Sequence, residues 1–361
     1  MVLYRIDSLH GLRYDSNSTH LHHLRPLLVF PDSSEISCVK FGSKIYFFGL
    51  DYYFLDNYDP SIDHAYVYSM EEKDLMGIEP SEDNIITKFE HLLTKTKRPM
   101  HSYKWSPYCF VANNKLYVLT RWSNPWSSFE VFSPVDETWQ LLPSPYTYQN
   151  MNEPVLSHLV DKEHIVYFST CDDFFSFNLE TLEWKAASNH AWCRQATLVG
   201  EMAFGFIGNF GVKHICASKP FSRGEEVMQP YLAPDRDFLE VLRSSRFTYI
   251  IEGCYTDYIV ALQDSDNKQV LCIVTYGRNT NPIWDPDTTT SYLALSFFGI
   301  PGNFFTKISP VQGMDTSYAQ ERAIDGGVIR RYFNAEFQYT KHFTFTNSFL
   351  NTNRNTVNFF L

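Results

Sequence analysis

Two stretches of the sequence decide the fold, FEVFSPVDETW at residues 129–139 and FFSFNLETLEW at residues 174–184. They start 45 residues apart, and each reads Phe-x-x-Phe, then six residues, then Trp. The residues between the second Phe and the Trp are polar or turn-forming, as in a short loop joining two antiparallel strands. A compact apolar run precedes each stretch, at residues 115–119 and 164–168. The sequence therefore predicts a repeating unit of short β-strands.

Each unit contains four strands, because a further strand-like segment lies upstream of each apolar run, at residues 105–112 and 155–160. A weaker third copy covers residues 38–75, with Leu75 at the position of the Trp. A four-stranded meander with two apolar faces cannot bury both of them alone, so it stacks against its copies. Radial stacking of such units, at about 45 residues per repeat, gives a β-propeller.

The repeat resembles the blades of kelch-like propellers, in which an aromatic residue, a Pro or Asn and a Trp mark the fourth strand. Residues 132–139 match that pattern well and residues 177–184 match it fairly. Kelch blades carry a Gly-Gly pair at the end of the second strand, whereas residues 49–50, 120–121 and 169–170 here are Gly-Leu, Thr-Arg and Ser-Thr. The resemblance is thus to the looser galactose-oxidase/kelch-like superfamily, including the propellers of plant F-box/kelch proteins, without an F-box.

We therefore predict an all-β chain that forms a single propeller over residues 1–361, with six four-stranded blades and short helical insertions in its loops. The expected blades cover residues 32–80, 101–149, 150–189, 190–240, 245–290 and 291–350. Residues 1–8 are expected to add a strand that closes the ring and removes an open sheet edge. Helical insertions are expected after Ser81 and after Pro234, where capping residues precede apolar side chains at helical spacing.

The composition agrees with strands, since 17% of the 361 residues are aromatic and such side chains favour pleated surfaces. The formal net charge of −11 argues against a nucleic-acid partner. The 7 Cys residues are scattered without metal-binding spacing, so we expect reduced, buried thiols. No apolar run is long enough to cross a membrane and no signal peptide is evident, so the cytosol or the nucleus is the expected location. No metal and no cofactor are expected.

The candidate site residues lie in the loops that enter successive blades, since ligands of propellers bind around the central channel and on the rims. The candidates for acid–base chemistry are His101, Glu153 and His190. The candidates for ligand contacts are Tyr103, Asn152, Trp192 and Arg194. Together they offer imidazoles, a carboxylate, a guanidinium and aromatic walls, which suit a small polar ligand.

Two functions are open. The first is a binding or scaffold module that presents rim loops to a protein or small-molecule partner, as the resemblance to kelch-like propellers implies. The second is a metal-independent enzyme of small-molecule, specialised metabolism, of lyase or isomerase type, with its active site at the channel mouth. Galactose oxidase and the plant nitrile-specifier proteins carry out chemistry there, but the iron pattern of the latter is missing from this sequence. Because no catalytic motif is present, the sequence favours binding.

Overall fold

The computed structural model of the chain describes its strands and the loops between several of them. The described residues are 2–4, 22–23, 26–30, 36–50, 65–81, 83–104, 106–120, 128–144, 155, 157–161, 164–170, 174–186, 196–199, 202–207, 214–218, 231–232, 255–263, 269–278, 290–299, 331–332, 336–346 and 357–359.

Three short strands come first: β1 (Val2–Tyr4), β2 (His22–His23) and β3 (Pro26–Val29). Three antiparallel sheets of four strands follow along the chain. The first sheet contains β4 (Ser37–Phe41), β5 (Lys44–Phe48), β6 (Tyr68–Glu71) and β7 (Thr94–Lys95). The second sheet contains β8 (Pro107–Ala112), β9 (Lys115–Thr120), β10 (Phe129–Ser133) and β11 (Thr138–Leu142). The third sheet contains β12 (Ser157–Val160), β13 (Ile165–Ser169), β14 (Phe174–Asn178) and β15 (Trp184–Ala186).

Two larger sheets follow. The fourth sheet contains β16 (Thr197–Val199), β17 (Met202–Ile207), β18 (His214–Ser218) and β19 (Tyr231–Leu232). The fifth is built from β20 (Tyr255–Gln263), β21 (Gln269–Arg278) and β22 (Thr290–Gly299). The last strands are β23 (Arg331–Tyr332), β24 (Glu336–Thr346) and β25 (Val357–Phe359). β23 joins the edge of the fourth sheet, whereas β24 and β2 join the fifth.

The spacing of the repeat follows from strand pairing. Phe132 lies opposite Trp139 across the β10–β11 hairpin, and Phe177 lies opposite Trp184 across β14–β15. The two ring pairs have almost the same geometry, with centroids 4.9 Å and 4.7 Å apart. An aromatic residue and a Trp seven positions later therefore form a cross-strand pair, which stabilises each hairpin.

Each Trp also contacts the sheet that precedes its own. Trp139 packs edge-on against Phe48 of β5, with centroids 6.3 Å apart, and Trp184 packs against Phe129 of β10 at 5.7 Å. Both indoles are buried, and both belong to apolar clusters that join two consecutive sheets. The two Trp residues thus provide packing between sheets, as the repeat predicts.

The first strands of successive sheets lie side by side. Strand β4 contacts β8, and β12 contacts β16. The Tyr108 hydroxyl in β8 lies 2.8 Å from His158 Nδ1 in β12, and the Ala261 amide in β20 donates to Thr197 Oγ1 in β16 at 3.3 Å. Since every meander leads away from its first strand, these strands form the inner wall and the sheets radiate from it. The chain is an all-β propeller.

The first sheet differs from the prediction in its second half. Residues around Leu75, where the weak repeat copy predicts a fourth strand, form the short helix α1 (Glu72–Met76). A 3₁₀ helix follows at Ile86–Leu92, and the fourth strand is β7, beyond the predicted blade limit at residue 80. Glu, Lys, Asp, Leu and Met include good helix formers and no β-branched residue, so local propensity favours the helix. Leu75 is nevertheless buried in the core of this sheet.

The 3₁₀ helix begins later than its expected capping residue. Its side-chain cap is absent at Ile85, while Ser81 Oγ accepts the amide of Asp83 at 3.3 Å in a turn before the helix. The second expected helical insertion, after Pro234, lies outside the described residues. No helix within the described part of the chain is long and apolar enough to span a membrane.

The C-terminal half contains a long hairpin, β20–β21. Tyr258 lies opposite Val274 and Leu262 opposite Val270 across β20–β21. The expected limit between two blades at residue 290 coincides with the start of β22, which pairs with β21 on one side and β24 on the other. The strands on both sides of this limit therefore belong to one sheet, since their long, aromatic-rich sequences pair continuously.

The two ends of the chain meet in a further sheet. Val2 lies opposite Val357 in the parallel pair β1–β25 and opposite Val29 in the antiparallel pair β1–β3. Phe30, directly after β3, packs against Phe47 of the first sheet with ring centroids 5.6 Å apart. An N-terminal strand thus pairs with the last strand, beside the first four-stranded sheet.

Candidate functional site

Chain order places two segments of the second sheet at the same end. Strand β8 begins after residues 101–106 and β10 begins after Ser128, and the first and third strands of a meander run in the same direction. We call this end of the sheets the lower rim. The loop at residues 101–104 is attached to the first sheet at its start, because the amide of Met100 donates to Ala65 O at 2.9 Å and the side chain of Met100 is buried.

A fully buried carboxylate holds this loop. Glu130, the second residue of β10, has 0% exposed surface. Its Oε2 accepts the backbone amide of His101 at 2.8 Å and lies 2.9 Å from His101 Nδ1. Its Oε1 accepts the amide of Ser102 at 3.2 Å and the hydroxyl of Ser128 at 3.3 Å. The loop is therefore bonded to one side chain through two successive backbone amides and an imidazole.

Lys104 completes the network as the counter-charge. Its side chain is 1% exposed, and its Nζ donates to Glu130 Oε1. The same Nζ donates to the Ser102 carbonyl at 2.9 Å and lies 3.1 Å from Ser102 Oγ, which itself contacts Ser128 Oγ. A buried Lys and a buried Glu are thus paired, and their remaining polar partners come from the same loop and from Ser128.

The carboxylate of Glu130 is held in its charged form. Burial alone would raise the pKa of Glu130, but the Lys104 charge and the hydrogen bonds from Lys104 and His101 outweigh it and hold the pKa below its ordinary value. For Lys104, burial lowers the pKa, and the Glu130 charge opposes that effect. Because the Glu130 carboxylate is stabilised in its ionised form, it acts as an acceptor for every group that surrounds it.

Two of the residues predicted for the site lie in this loop. His101 has a side chain that is 52% exposed, while its Nδ1 is turned towards Glu130. Tyr103 is partly buried and packs against the apolar cluster between the first and second sheets. The other predicted residues lie outside the described part of the chain: Glu153, His190, Asn152, Trp192 and Arg194.

The sequence analysis missed Glu130 and Lys104, although a signal exists. The position of Glu130 corresponds, 45 residues later, to Phe175 in the third sheet. A carboxylate in the middle of an apolar strand, where the repeat elsewhere has an aromatic residue, indicates a special environment. Lys104 offers no comparable signal, because nothing in its local sequence shows that it is buried.

A second histidine lies between sheets, on the inner wall. The ring of His158 is in T-shaped contact with Tyr108 at 5.6 Å and lies 4.9 Å from the ring of Phe110. Burial lowers the pKa of His158 to about 4. The ring is therefore neutral at physiological pH and joins the second sheet to the third through its hydrogen bond to Tyr108. Within the described residues, no group of three or more His, Cys, Asp or Glu side chains is arranged to hold a metal ion.

Residues 15–293 match the family described as "Protein of unknown function (DUF1668)". The chain belongs to this family. The description of the DUF1668 family names no activity, and no curated protein matches the chain.

Among solved structures, the chain is similar to the periplasmic gluconolactonase PpgL of Pseudomonas aeruginosa, with 11% identity and a TM-score of 0.39, covering 83% of this chain and 70% of that one. It is also similar to the xyloglucan-locus GH43B of Bacteroides ovatus, with 8% identity and a TM-score of 0.38, covering 76% of this chain and 55% of that one. A third is CoXyl43, a GH43 β-xylosidase/α-arabinofuranosidase from a compost microbial metagenome, with 13% identity, a TM-score of 0.33 and coverages of 71% and 89%. No activity of this DUF1668 protein follows from likenesses this weak.

Proposed function

We propose that this DUF1668 protein is a binding module and that the lower rim, centred on residues 101–104, is its recognition surface. One observation supports the proposal above the others: a fully buried carboxylate, Glu130, fixes two backbone amides and the imidazole of this loop. A loop that is already ordered loses little conformational entropy when a ligand binds, so its contacts contribute more fully to affinity. Recognition by loops on a rigid scaffold is the usual arrangement, and kelch-like propellers, which the repeat resembles, use their rims in this way.

The cost of the network supports a role beyond folding. Burying a Lys and a Glu removes two charges from water, and a pair of apolar residues in their place is often as stable or more stable. The third sheet shows that Phe175 serves at the corresponding strand position. Because the strand does not need a carboxylate, we assign the function of Glu130 to the loop that it holds.

The test is a thermal-shift screen of the purified protein against a metabolite library, together with His101→Ala and a matched control, His164→Ala. His164 precedes β13, at the opposite end of the third sheet from the lower rim, and hydrogen-bonds Asn113 there. A ligand well above its dissociation constant raises the stability by a few kcal/mol. We expect hits that His101→Ala removes and His164→Ala retains. Hits with the opposite dependence would place the recognition surface elsewhere.

A metal-independent acid–base enzyme is the second candidate, and the contact of His101 with a buried carboxylate favours it. Such a contact orients the imidazole, and a positioned imidazole transfers protons near neutral pH. The test incubates wild type and His101→Ala with the same library and follows each compound by mass spectrometry. Turnover that depends on His101 would favour the enzyme, whereas binding without turnover would favour the module. Location in the cytosol or nucleus stays a prediction.

A further inference from the structure

We propose that His101 presents Nε2 as a hydrogen-bond acceptor at the lower rim, for a neutral ligand that offers an O–H or N–H donor, and that Glu130 is the positioning residue that fixes its tautomer. The proposal deepens the binding function proposed above by naming the ligand class, and it rests on that function only for the ligand itself. The tautomer is a property of the free protein.

Glu130 determines which ring nitrogen of His101 carries the proton. An ionised carboxylate has no hydrogen to donate, so a ring nitrogen at 2.9 Å from Glu130 Oε2 must carry the proton. That nitrogen is Nδ1. In the neutral ring the proton is then absent from Nε2, which keeps a lone pair. The backbone amide of the same residue donates to the same oxygen at 2.8 Å, so both the backbone and the ring of His101 are held by one atom.

Lys104 keeps the carboxylate of Glu130 ionised. A buried carboxylic acid without a counter-charge takes up a proton readily and can then donate to Nδ1, which would reverse the tautomer. Lys104 donates to Glu130 Oε1 from a site that is 1% exposed, and the pKa of Glu130 lies below its ordinary value. Lys104 therefore acts on His101 indirectly, by holding the carboxylate in the form that only accepts.

The exposed part of the His101 ring determines which ligands it can bind. Just over half of the His101 side chain is exposed, and within the described residues its Nε2 has no hydrogen-bond partner. A hydroxyl or amide N–H of a ligand can donate to this lone pair, whereas a carboxylate cannot. Among the described residues, the charged group that contacts the ring is Glu130, from β10, and its charge is paired with that of Lys104, from the loop. A neutral ligand with donors fits this surface better than an anion.

The tautomer is tested by long-range ¹H–¹⁵N correlation spectra of the full chain labelled with ¹⁵N-histidine, recorded above pH 8. The His101 signals are identified by their loss in His101→Asn. His91, an exposed residue of the 3₁₀ helix, is the internal control and should show the Nε2–H form that free imidazole side chains prefer in water. We expect His101 to show a protonated Nδ1 and an unprotonated Nε2. An Nε2–H form at His101 would overturn the proposal.

A variant pair separates positioning from simple support of the loop. Glu130→Gln together with Lys104→Met removes both charges, and the Gln amide can either donate to or accept from the ring. We expect this folded double variant to lose the Nδ1–H preference of His101. An unchanged tautomer in the double variant would remove Glu130 from the positioning role, even if the wild-type spectrum shows Nδ1–H.

The ligand class is tested with matched probes, each neutral sugar or amide paired with the carboxylate of the same skeleton, such as glucose with gluconate. We expect thermal shifts from neutral members, with affinity falling about tenfold in His101→Asn, which lacks the distal acceptor, and less in His101→Gln, which keeps one. Shifts confined to the carboxylates, or no shift from either set, would overturn the ligand assignment. A protein partner with a confirmed tautomer would instead contradict the small-molecule part alone.

Discussion

Position 130 of the second sheet and position 175 of the third are equivalent in the repeat, yet they are occupied by opposite chemistries. Glu130 and Phe175 both lie on the third strand of their sheet, and they are 0% and 6% exposed. Phe175 belongs to the apolar cluster between the second and third sheets, whereas Glu130 is bonded to residues of an incoming loop. The comparison shows that the fold tolerates a polar network at this position without depending on one. Glu130 therefore serves to hold the loop, whereas Phe175 serves to pack the core.

The largest expected effect comes from breaking the buried ion pair. Glu130→Ala leaves the Lys104 charge buried and unpaired, which should lower the free energy of unfolding by about 3–5 kcal/mol. Phe175→Ala should cost a similar amount, about 3–5 kcal/mol, because it opens a cavity. A second substitution, at Lys104, should distinguish the two positions by its effect on the free energy of unfolding. Urea unfolding should show that Glu130→Leu with Lys104→Met recovers most of the stability. Adding Lys104→Met to Phe175→Ala should instead lower the stability further, because it leaves the Glu130 charge buried and unpaired.

A Glu130→Ala variant that loses less than about 1 kcal/mol would contradict this account, because a buried unpaired charge is more costly than that. It would indicate that water reaches Lys104 and that the loop is less closely packed than the structure has it.

The next expected effect is a difference in pH dependence between His158 and Glu130: each contributes stability that is lost in a different pH range. His158 has a pKa of about 4 against an ordinary value of 6.5, so the unfolded chain takes up a proton here at a higher pH than the folded chain. The stability from His158 is therefore complete above pH 6.5 and falls as the pH drops towards 4, by about 3 kcal/mol. The loss that Glu130 causes comes at lower pH, since its folded pKa is below its ordinary value.

The measurement is a series of urea unfolding curves between pH 7 and pH 4. His158→Gln, which cannot titrate and can still accept from the Tyr108 hydroxyl, should flatten the dependence in this window. The Lys104→Met, Glu130→Leu variant should keep it. Equal slopes in wild type and His158→Gln would show that His158 is not the titrating group.

A smaller effect distinguishes the two Trp residues that share a repeat position. Trp184 Nε1 donates to the Pro143 carbonyl at 2.8 Å, whereas Trp139 Nε1 is buried and has no hydrogen-bond partner among the described residues. Replacing each by Phe removes similar area, but only Trp184→Phe also leaves a carbonyl without its donor. Trp184→Phe should therefore cost about 1 kcal/mol more than Trp139→Phe in urea unfolding. A reversed order would mean that the packing area, not the hydrogen bond, decides the difference.

The smallest effect belongs to an ion pair on the surface. Lys97 Nζ lies 2.7 Å from Glu137 Oε2 between the first and second sheets, and the Lys97 side chain is 79% exposed. Because both side chains are largely exposed to water, 79% for Lys97 and 40% for Glu137, Lys97→Ala should change the free energy of unfolding by less than about 0.5 kcal/mol. A loss near that of Glu130→Ala would remove the distinction between buried and exposed charge on which the comparison is based.

The parts of the fold that were predictable are those in which one sequence pattern produces one local structure. The Phe–Trp spacing gives the cross-strand pairs at 132–139 and 177–184 because both partners belong to a single hairpin. The fourth strand of the first sheet was not predictable from that pattern, since a helix and a 3₁₀ helix separate β7 from β6. In this sheet the position of the repeat Trp is occupied by Leu75. Leu75 lies in a helix, not in a strand, and its side chain is buried.

The sequence predicted the loop residues of the candidate site, but it did not predict the buried ion pair that holds the loop. His101 and Tyr103 are recognisable because they lie in a loop that enters a blade. The partner of His101 is Glu130, 29 residues away along the chain and on a strand of the sheet, so this contact depends on how the meander returns. The burial of Lys104 depends in the same way on a residue that is distant in the sequence. Its sequence neighbours describe an ordinary surface loop, and only the position of Glu130 makes it an interior residue.

Strand β1 pairs in parallel with β25, so one edge of β1 stays unpaired during synthesis until β25 has been made. Val2 leaves the ribosome more than 350 residues before its partner Val357. At about 5–20 residues per second, one side of β1 stays without its partner for tens of seconds at least. An unpaired strand edge readily associates with other chains. Until β25 is made, β1 has only its antiparallel partner β3, so its other edge stays open to such association.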